Sequence, residues 1–119
     1  MQDFRKIKAW DKARLVVLDV YRITGKFPSS ELYGLTNQLR RAAVSVTANI
    51  AEGCGRGTDA DFARFLQIAT GSAFEVDSLL LVAKDLGFMA EADYVALDLK
   101  LAEMKRMLNA RLQTIRKGQ

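Results

Sequence analysis

The chain has 119 residues, enough for one domain with its own hydrophobic core, and 50% of them are hydrophobic. Eighteen lysines and arginines against 14 acids give a net charge of +4, and the chain contains no histidine and a single cysteine. One cysteine excludes a disulfide framework and is typical of the cytoplasm. No uninterrupted apolar run reaches the ~20 residues that span a bilayer, and the N-terminus does not read as a signal peptide. We therefore expect a cytoplasmic protein with no membrane partner.

The hydrophobic periodicity is helical almost throughout. The predicted helices cover about residues 7–24, 36–53, 59–86 and 90–117. Gly25 is the expected C-cap of the first helix, and Thr36 and Thr58 are the expected N-caps of the second and third. Four amphipathic helices with short connections predict an all-α fold, an antiparallel up-down-up-down four-helix bundle that forms a single domain over residues 1–119.

The third helix carries more apolar surface than one buried face requires. A second apolar edge lies beside its core stripe and consists of Phe65, Ile68, Leu79, Val82 and Leu86. Because a bundle helix needs only one buried face, this excess favours a subunit interface. A wide core stripe is the alternative explanation.

A glycine-rich run, Gly53-Cys54-Gly55-Arg56-Gly57, follows the second helix. A dinucleotide fingerprint needs a preceding strand and GxGxxG spacing, and a P-loop needs GxxxxGK[ST]. Neither pattern is present, and the preceding segment is helical. The run therefore indicates a helix C-terminus and a tight turn rather than a phosphate-binding loop.

Catalytic and metal-binding patterns are missing from the sequence. Cys54 has no histidine to activate it, and no cluster of Cys, His and acids has metal-ligand spacing. Glu52 and Glu75 are candidates for a carboxylate pair, which leaves a hydrolase as a third, minor hypothesis. Glu52 and Arg56, however, have the i,i+4 spacing of a structural ion pair. We predict no enzymatic activity, no metal and no cofactor.

Polar residues beside the core stripe of the second helix are expected to have a structural role. Asn49 is expected to join a polar network between helices. Arg40 and Arg41 lie early in this helix, and Arg41 and Glu52 are roughly 16 Å apart, too far to pair within it. Each is expected to find its partner on a neighbouring helix or subunit.

Basic residues concentrate at the two ends of the chain. Residues 1–26 carry a net charge of +4 and residues 99–119 a net charge of +5, whereas residues 27–98 carry −5. In an up-down-up-down path, the start of the first helix, the turn after the second and the end of the fourth share one end of the bundle. Eleven basic residues are expected there: Arg5, Lys6, Lys8, Lys12, Arg14, Arg56, Lys105, Arg106, Arg111, Arg116 and Lys117.

Such a cluster is the electrostatic footprint of a phosphate-backbone interface. The alternative is solvated basic decoration at helix ends, where cations also favour the helix dipole. The aromatic residues have the spacing of core residues rather than of base-stacking platforms, so any binding is expected to be driven by the backbone and to tolerate sequence.

The segment "ELYGLTNQLRRAAVSVTANIAEGCGRGT", residues 31–58, resembles the signature of small four-helix-bundle proteins encoded in 23S rRNA intervening sequences, also labelled S23 ribosomal proteins. The accessory variability protein of diversity-generating retroelements belongs to the same group. The resemblance extends through "AWDKARLVVLDVYRITGKFP" before it and "FARFLQIATGSAFEVDSLLLVAKDLGFM" after it, and Thr47 departs from it where the family commonly has proline. The resemblance gives an expected structural or interface role to Arg40, Arg41, Asn49, Glu52, Gly53 and Glu75.

The resemblance implies a four-helix bundle that assembles into a homopentameric ring. For the retroelement members it also implies binding to nucleic acid and to a reverse transcriptase through a basic surface. The leading hypothesis is therefore a non-enzymatic, oligomeric accessory protein that binds RNA, DNA or a nucleic-acid enzyme. The alternative is a structural protein–protein interaction module with no nucleic-acid role.

Overall fold

Four α-helices make up most of the chain in a computed structural model, which describes residues 2–118. They are α1 (Lys8–Thr24), α2 (Leu35–Cys54), α3 (Asp59–Asp85) and α4 (Glu91–Lys117). Short 3-10 turns precede α1 (Phe4–Lys6) and α2 (Ser29–Glu31), and the described part of the chain contains no strand. The helices begin and end within one residue of the predicted ranges.

The helices form an antiparallel four-helix bundle measuring 46 × 24 × 19 Å. Each packs on its neighbours in sequence and α1 also packs on α4, whereas within residues 2–118 the diagonal pairs bring no Cα atoms within 8 Å. Ion pairs join Lys12 to Glu103 (2.8 Å) and Asp19 to Lys100 (2.6 Å), so α1 and α4 run in opposite directions. The start of α1, the α2–α3 turn and the end of α4 therefore lie at one end of the bundle.

Local chemistry sets the N-terminus of α3, whereas tertiary packing sets the N-terminus of α2. Thr58 caps α3, because its hydroxyl accepts a hydrogen bond from the Asp61 backbone N–H (3.2 Å). The prediction that Thr36 caps α2 is wrong, since α2 begins one residue earlier and Thr36 is buried in its first turn. The Glu31 carboxylate accepts from the Leu35 backbone N–H (3.2 Å) and so satisfies one of the helix's free donors.

α3 carries its apolar character on the outside as well as the inside. By length and composition alone it could cross a membrane, a test that core helices of soluble proteins also pass. Its inner side packs into the core through residues such as Leu66 and Leu80. Of the predicted second edge, Phe65 is buried and Leu79 is half-buried against the core, but Ile68, Val82 and Leu86 are 43, 45 and 58% exposed.

A glycine lies on the same exposed side of α3. Gly71 is in the middle of the helix, and a Cβ added there would meet no atom within 4 Å. A glycine at an exposed helix interior costs about 1 kcal/mol relative to alanine, and nothing within one chain requires it. We call Ile68, Gly71, Val82 and Leu86 the α3 outer face.

Candidate nucleic-acid interface

A groove lies between the start of α1 and the last turns of α4. It consists of two adjoining cavities of about 360 and 310 Å³, which share Lys6, Ile7, Lys8 and Met107 in their walls. Asp11 is the only acid among the residues that line them, and every other charged residue there is basic. We call this the basic groove, and its cations are Arg5, Lys6, Lys8, Lys12 and Arg111.

Local sequence fixes the entry to the groove. The Asp3 carboxylate accepts from the Arg5 backbone N–H (3.0 Å) and starts the first 3-10 turn. Lys6, the last residue of this turn, and Lys8, the first residue of α1, are exposed, whereas the intervening Ile7 is buried in the core. The apolar anchor therefore holds two ammonium groups at the surface on either side of it.

Lys12 is the groove cation that is most fully neutralised. Its ammonium lies 2.8 Å from the Glu103 carboxylate on α4. The hydrogen bond from Lys12, with its charge and that of Arg106, lowers the pKa of Glu103 below its ordinary value. Because the folded-state pKa is lowered, the pair contributes stability above the ordinary carboxyl pKa and loses it as the pH falls through the lowered one.

Replacing Glu103 with glutamine is expected to release Lys12 and to strengthen duplex DNA binding several-fold. The slope of log affinity against log salt should become steeper by the amount that corresponds to about one additional phosphate contact. Asp77→Asn is the matched control, because it releases Lys105 from an equally close pair (2.6 Å) outside the groove. Fluorescence anisotropy across a salt series measures both variants, and an equal gain from the two would contradict the location of the groove.

Arg111 is tied back to its own chain. Its guanidinium donates a hydrogen bond to Gln2 and lies 5.6 Å over the Phe62 ring. Its Nε is buried and has no hydrogen-bond partner among the residues the structure describes. Arg111 thus raises the positive potential of the groove while its side chain is held in place.

Six of the eleven predicted basic residues lie outside the groove, and three of these six have an acidic partner. Arg14 pairs with Asp11 (2.9 Å) on the α2 side of α1, and Arg56 pairs with Glu52 (3.0 Å) after α2. Lys105 pairs with Asp77 across the α3–α4 face, near the middle of α4. The expectation that all eleven share one basic end is corrected for Lys105, which lies near the middle of α4. Arg14 and Arg56 lie at the expected end, but on faces other than the groove.

Three further predicted residues, Arg106, Arg116 and Lys117, are exposed on α4. Within residues 2–118 no ion pair involves them, and the same holds for Lys6 and Lys8. These five cations need break no internal pair to meet a phosphate.

Arg40 connects α1 to α2, as a structural role requires. Its Nε donates to the Thr24 hydroxyl (2.9 Å), and its guanidinium lies 4.6 Å over the Tyr21 ring. Thr24 in turn donates to the Val20 carbonyl (2.7 Å). The end of α1 is thereby fixed against the first turns of α2.

Asn49 joins the polar network predicted for it. Its side-chain amide donates to the Ser45 carbonyl (2.8 Å) and hydroxyl (3.0 Å). The Ser45 hydroxyl also shares a hydrogen bond with Ser72 of α3 (2.9 Å). This network links α2 to α3 beside the core.

The motif's charged residues form no ion pair with another helix inside residues 2–118. Glu52 forms the i,i+4 pair with Arg56 (3.0 Å) that its spacing predicted, and Arg41 is exposed with no ion pair inside residues 2–118, so a partner on a neighbouring subunit stays a prediction. Gly53 lies level with Phe62 and Phe65, so Glu75 is roughly 15 Å further along α3 than Glu52. The two exposed glutamates therefore do not form a carboxylate pair.

Cys54 is buried and free, and burial raises the pKa of its thiol, with Arg111 opposing the shift. A raised pKa disfavours the reactive thiolate. Among the residues the structure describes, no group of three or more Cys, Asp or Glu could hold a metal ion.

Sequence reasoning missed a further cavity, of about 280 Å³, on the α1–α2 side of the same end. Phe4 and Trp10 line it and are only half-buried, because small residues of α2 lie opposite them. The helical spacing of Trp10 predicted a core residue. The available signal for this cavity was the spacing of small residues on α2, where Ala51 follows Ala48 by three positions and Thr47 by four.

Residues 5–110 match the family model described as 23S rRNA-intervening sequence protein. The chain belongs to the 23S rRNA-intervening sequence protein family. The resemblance found in the sequence is thereby confirmed.

A solved structure shares the fold of this family member. It is a protein with unknown function from the S23 ribosomal protein family of Bacteroides thetaiotaomicron, with a TM-score of 0.81 and 20% identity. The match covers 88% of this chain and 95% of that one. No curated protein matches the sequence.

Proposed function

We propose that this protein is a non-enzymatic, oligomeric accessory protein of the cytoplasm that binds nucleic acid through the basic groove. The observation that carries the proposal is the groove itself, lined by five cations and a single acid. Lys6 and Lys8 project from it without ion pairs among residues 2–118, and Arg116 and Lys117 are further exposed cations at the same end of the bundle. Phosphates of an RNA or DNA backbone fit such a surface without sequence-specific contacts.

The test is binding of purified protein to a structured RNA and to duplex DNA at about 50 and 200 mM salt. If each chain neutralises about four phosphates, the affinity should fall about a hundredfold between the two conditions. A salt-independent affinity, or no binding at the lower salt, would contradict the proposal. Mass in solution, measured alongside, reports the oligomeric state.

Self-association is supported by the α3 outer face. It exposes three large aliphatic side chains on the side of the helix that carries Gly71, and this glycine leaves room for a closely approaching backbone one turn from Ile68. A closed ring needs two different complementary patches on each chain, and the homopentamer implied by the family resemblance is the ring we propose.

Replacing Ile68 and Val82 with lysine is expected to dissociate the oligomer to monomers without unfolding them, because both side chains are nearly half exposed in the isolated chain. Analytical ultracentrifugation and circular dichroism measure the two effects. The control pair is Val95→Lys with Leu99→Lys, which adds the same charge on the exposed side of α4. Dissociation by the control pair as well would show that charge rather than location breaks the assembly.

A nucleic-acid enzyme, such as the reverse transcriptase that the resemblance implies for retroelement members, is the protein partner that fits this proposal. The second candidate is a protein–protein module with no nucleic-acid role, which the exposed apolar surface of α3 favours. A stoichiometric protein partner that stays bound after nuclease treatment, together with no binding in the salt series, would favour this candidate.

A further inference from the structure

The half-buried aromatic pair at the start of the chain lines a cavity that the basic groove does not use. Phe4 and Trp10 pack edge to face, with ring centroids 4.8 Å apart and an interplanar angle of 65°. Phe4 can cover at most one face of the indole. The cavity of about 280 Å³ continues past the two rings to Thr47, Ala48 and Ala51 of α2.

One cation lines this cavity, Arg14, and it pairs with Asp11 (2.9 Å). The Arg5 guanidinium lies 4.8 Å over the Phe4 ring and pairs with Asp3 (3.2 Å). No acidic residue is among those that line the cavity. The first 3-10 turn separates the cavity from the basic groove, with Phe4 on one side and Arg5 and Lys6 on the other.

We infer that this cavity, which we call the Trp10 pocket, receives one unstacked base of a single-stranded nucleic acid whose backbone lies on the basic groove. This inference rests on the proposed function and names its substrate class. A nucleotide places a flat apolar ring next to an anion, which matches an aromatic wall next to the cations of the basic groove. Stacking on aromatic side chains combined with a basic track is how proteins bind single strands without sequence preference.

The opposite wall of the pocket suits a flat ring. Ala48 and Ala51 present only methyl groups, and the Thr47 hydroxyl donates to the Val44 carbonyl (2.7 Å). The Thr47 oxygen keeps acceptor capacity for a base N–H group. A base in a duplex is held in its own stack and cannot enter, so the pocket selects single strands over duplexes.

Tryptophan fluorescence reports directly on the pocket, because Trp10 is the only tryptophan in the chain. The probes are a short oligodeoxyadenylate, an abasic strand of equal length and charge, and a duplex of the same length. The base-bearing single strand is expected to quench Trp10 fluorescence. The abasic strand and the duplex should bind through the groove with little quenching.

A pocket-filling variant separates the pocket from the groove. Ala51→Leu adds volume in the pocket and changes no charge. It should abolish the quenching and weaken binding of the base-bearing strand about tenfold, while leaving the abasic strand and the duplex unaffected. Ala96→Leu, at an exposed position of α4 outside the pocket, is the matched control and should change nothing.

The outcomes distinguish the two proposals. Equal affinity and equal quenching for all three probes would overturn the Trp10 pocket as a base site while leaving the proposed function standing. No binding of any probe at low salt would overturn both. A change of Trp10 fluorescence with protein concentration alone would assign the pocket to a second copy of the chain and overturn the inference.

Discussion

Replacing Lys6, Lys8 and Lys117 with glutamate is expected to weaken nucleic-acid binding by a hundredfold or more at about 50 mM salt. The three side chains are exposed, and within residues 2–118 none forms an ion pair. Each change removes a phosphate contact and adds a repulsive charge. The slope of log affinity against log salt should fall by about three.

The matched control moves the same charge change to the other end of the bundle. Arg22, Lys26 and Arg41 are exposed there. Changing each to glutamate lowers the charge by two per residue, so both triple variants go from +4 to −2. Equal losses of affinity in the two variants would mean that net charge drives binding and that the basic groove is not the site. Circular dichroism checks that both variants remain helical.

Gly53→Ala is expected to destabilise the fold by about 2 kcal/mol. A Cβ at this position would lie 2.9 Å from Phe62 Cδ1, 2.9 Å from Phe65 Cβ and 3.4 Å from the Phe62 carbonyl. The Phe65 Cβ is attached to the backbone and cannot move aside, so α2 and α3 must separate. This cost exceeds the gain of about 1 kcal/mol that alanine brings to a helix.

A thermal unfolding experiment measures this effect, with an expected fall in Tm of roughly 10 °C. Gly71→Ala serves as the opposite case, since the added methyl group meets nothing within the chain. At a concentration where the protein is monomeric, it should stabilise α3 by up to about 1 kcal/mol. Stabilisation by Gly53→Ala would show that the helices have room at their crossing and would contradict the packing described for Gly53.

The positions of the helices could be predicted from the sequence because hydrophobic periodicity and turn residues are local signals. The cap of α3 is local too, as Thr58 and the acids after it show. The N-cap of α2 was misassigned because packing of Leu35 and Thr36 into the core overrides the preference of threonine for an N-cap.

The candidate site was only partly predictable for a related reason. The charge distribution along the chain indicated which end of the bundle is basic. It did not indicate that Lys105 meets Asp77 or that Arg14 turns towards α2, because those depend on the rotation of each helix about its axis. The exposure of Trp10 depends in the same way on the small residues that α2 places opposite it.

The basic groove lies at one end of a chain that is about twice as long as it is wide. Rotation about a single ring axis keeps equivalent ends of the subunits on the same side, so the proposed ring presents all its grooves on one rim. A strand long enough to reach two grooves would meet the second at a high effective concentration. Affinity should therefore increase sharply once the strand spans neighbouring subunits, and the protein would discriminate between nucleic acids by their length.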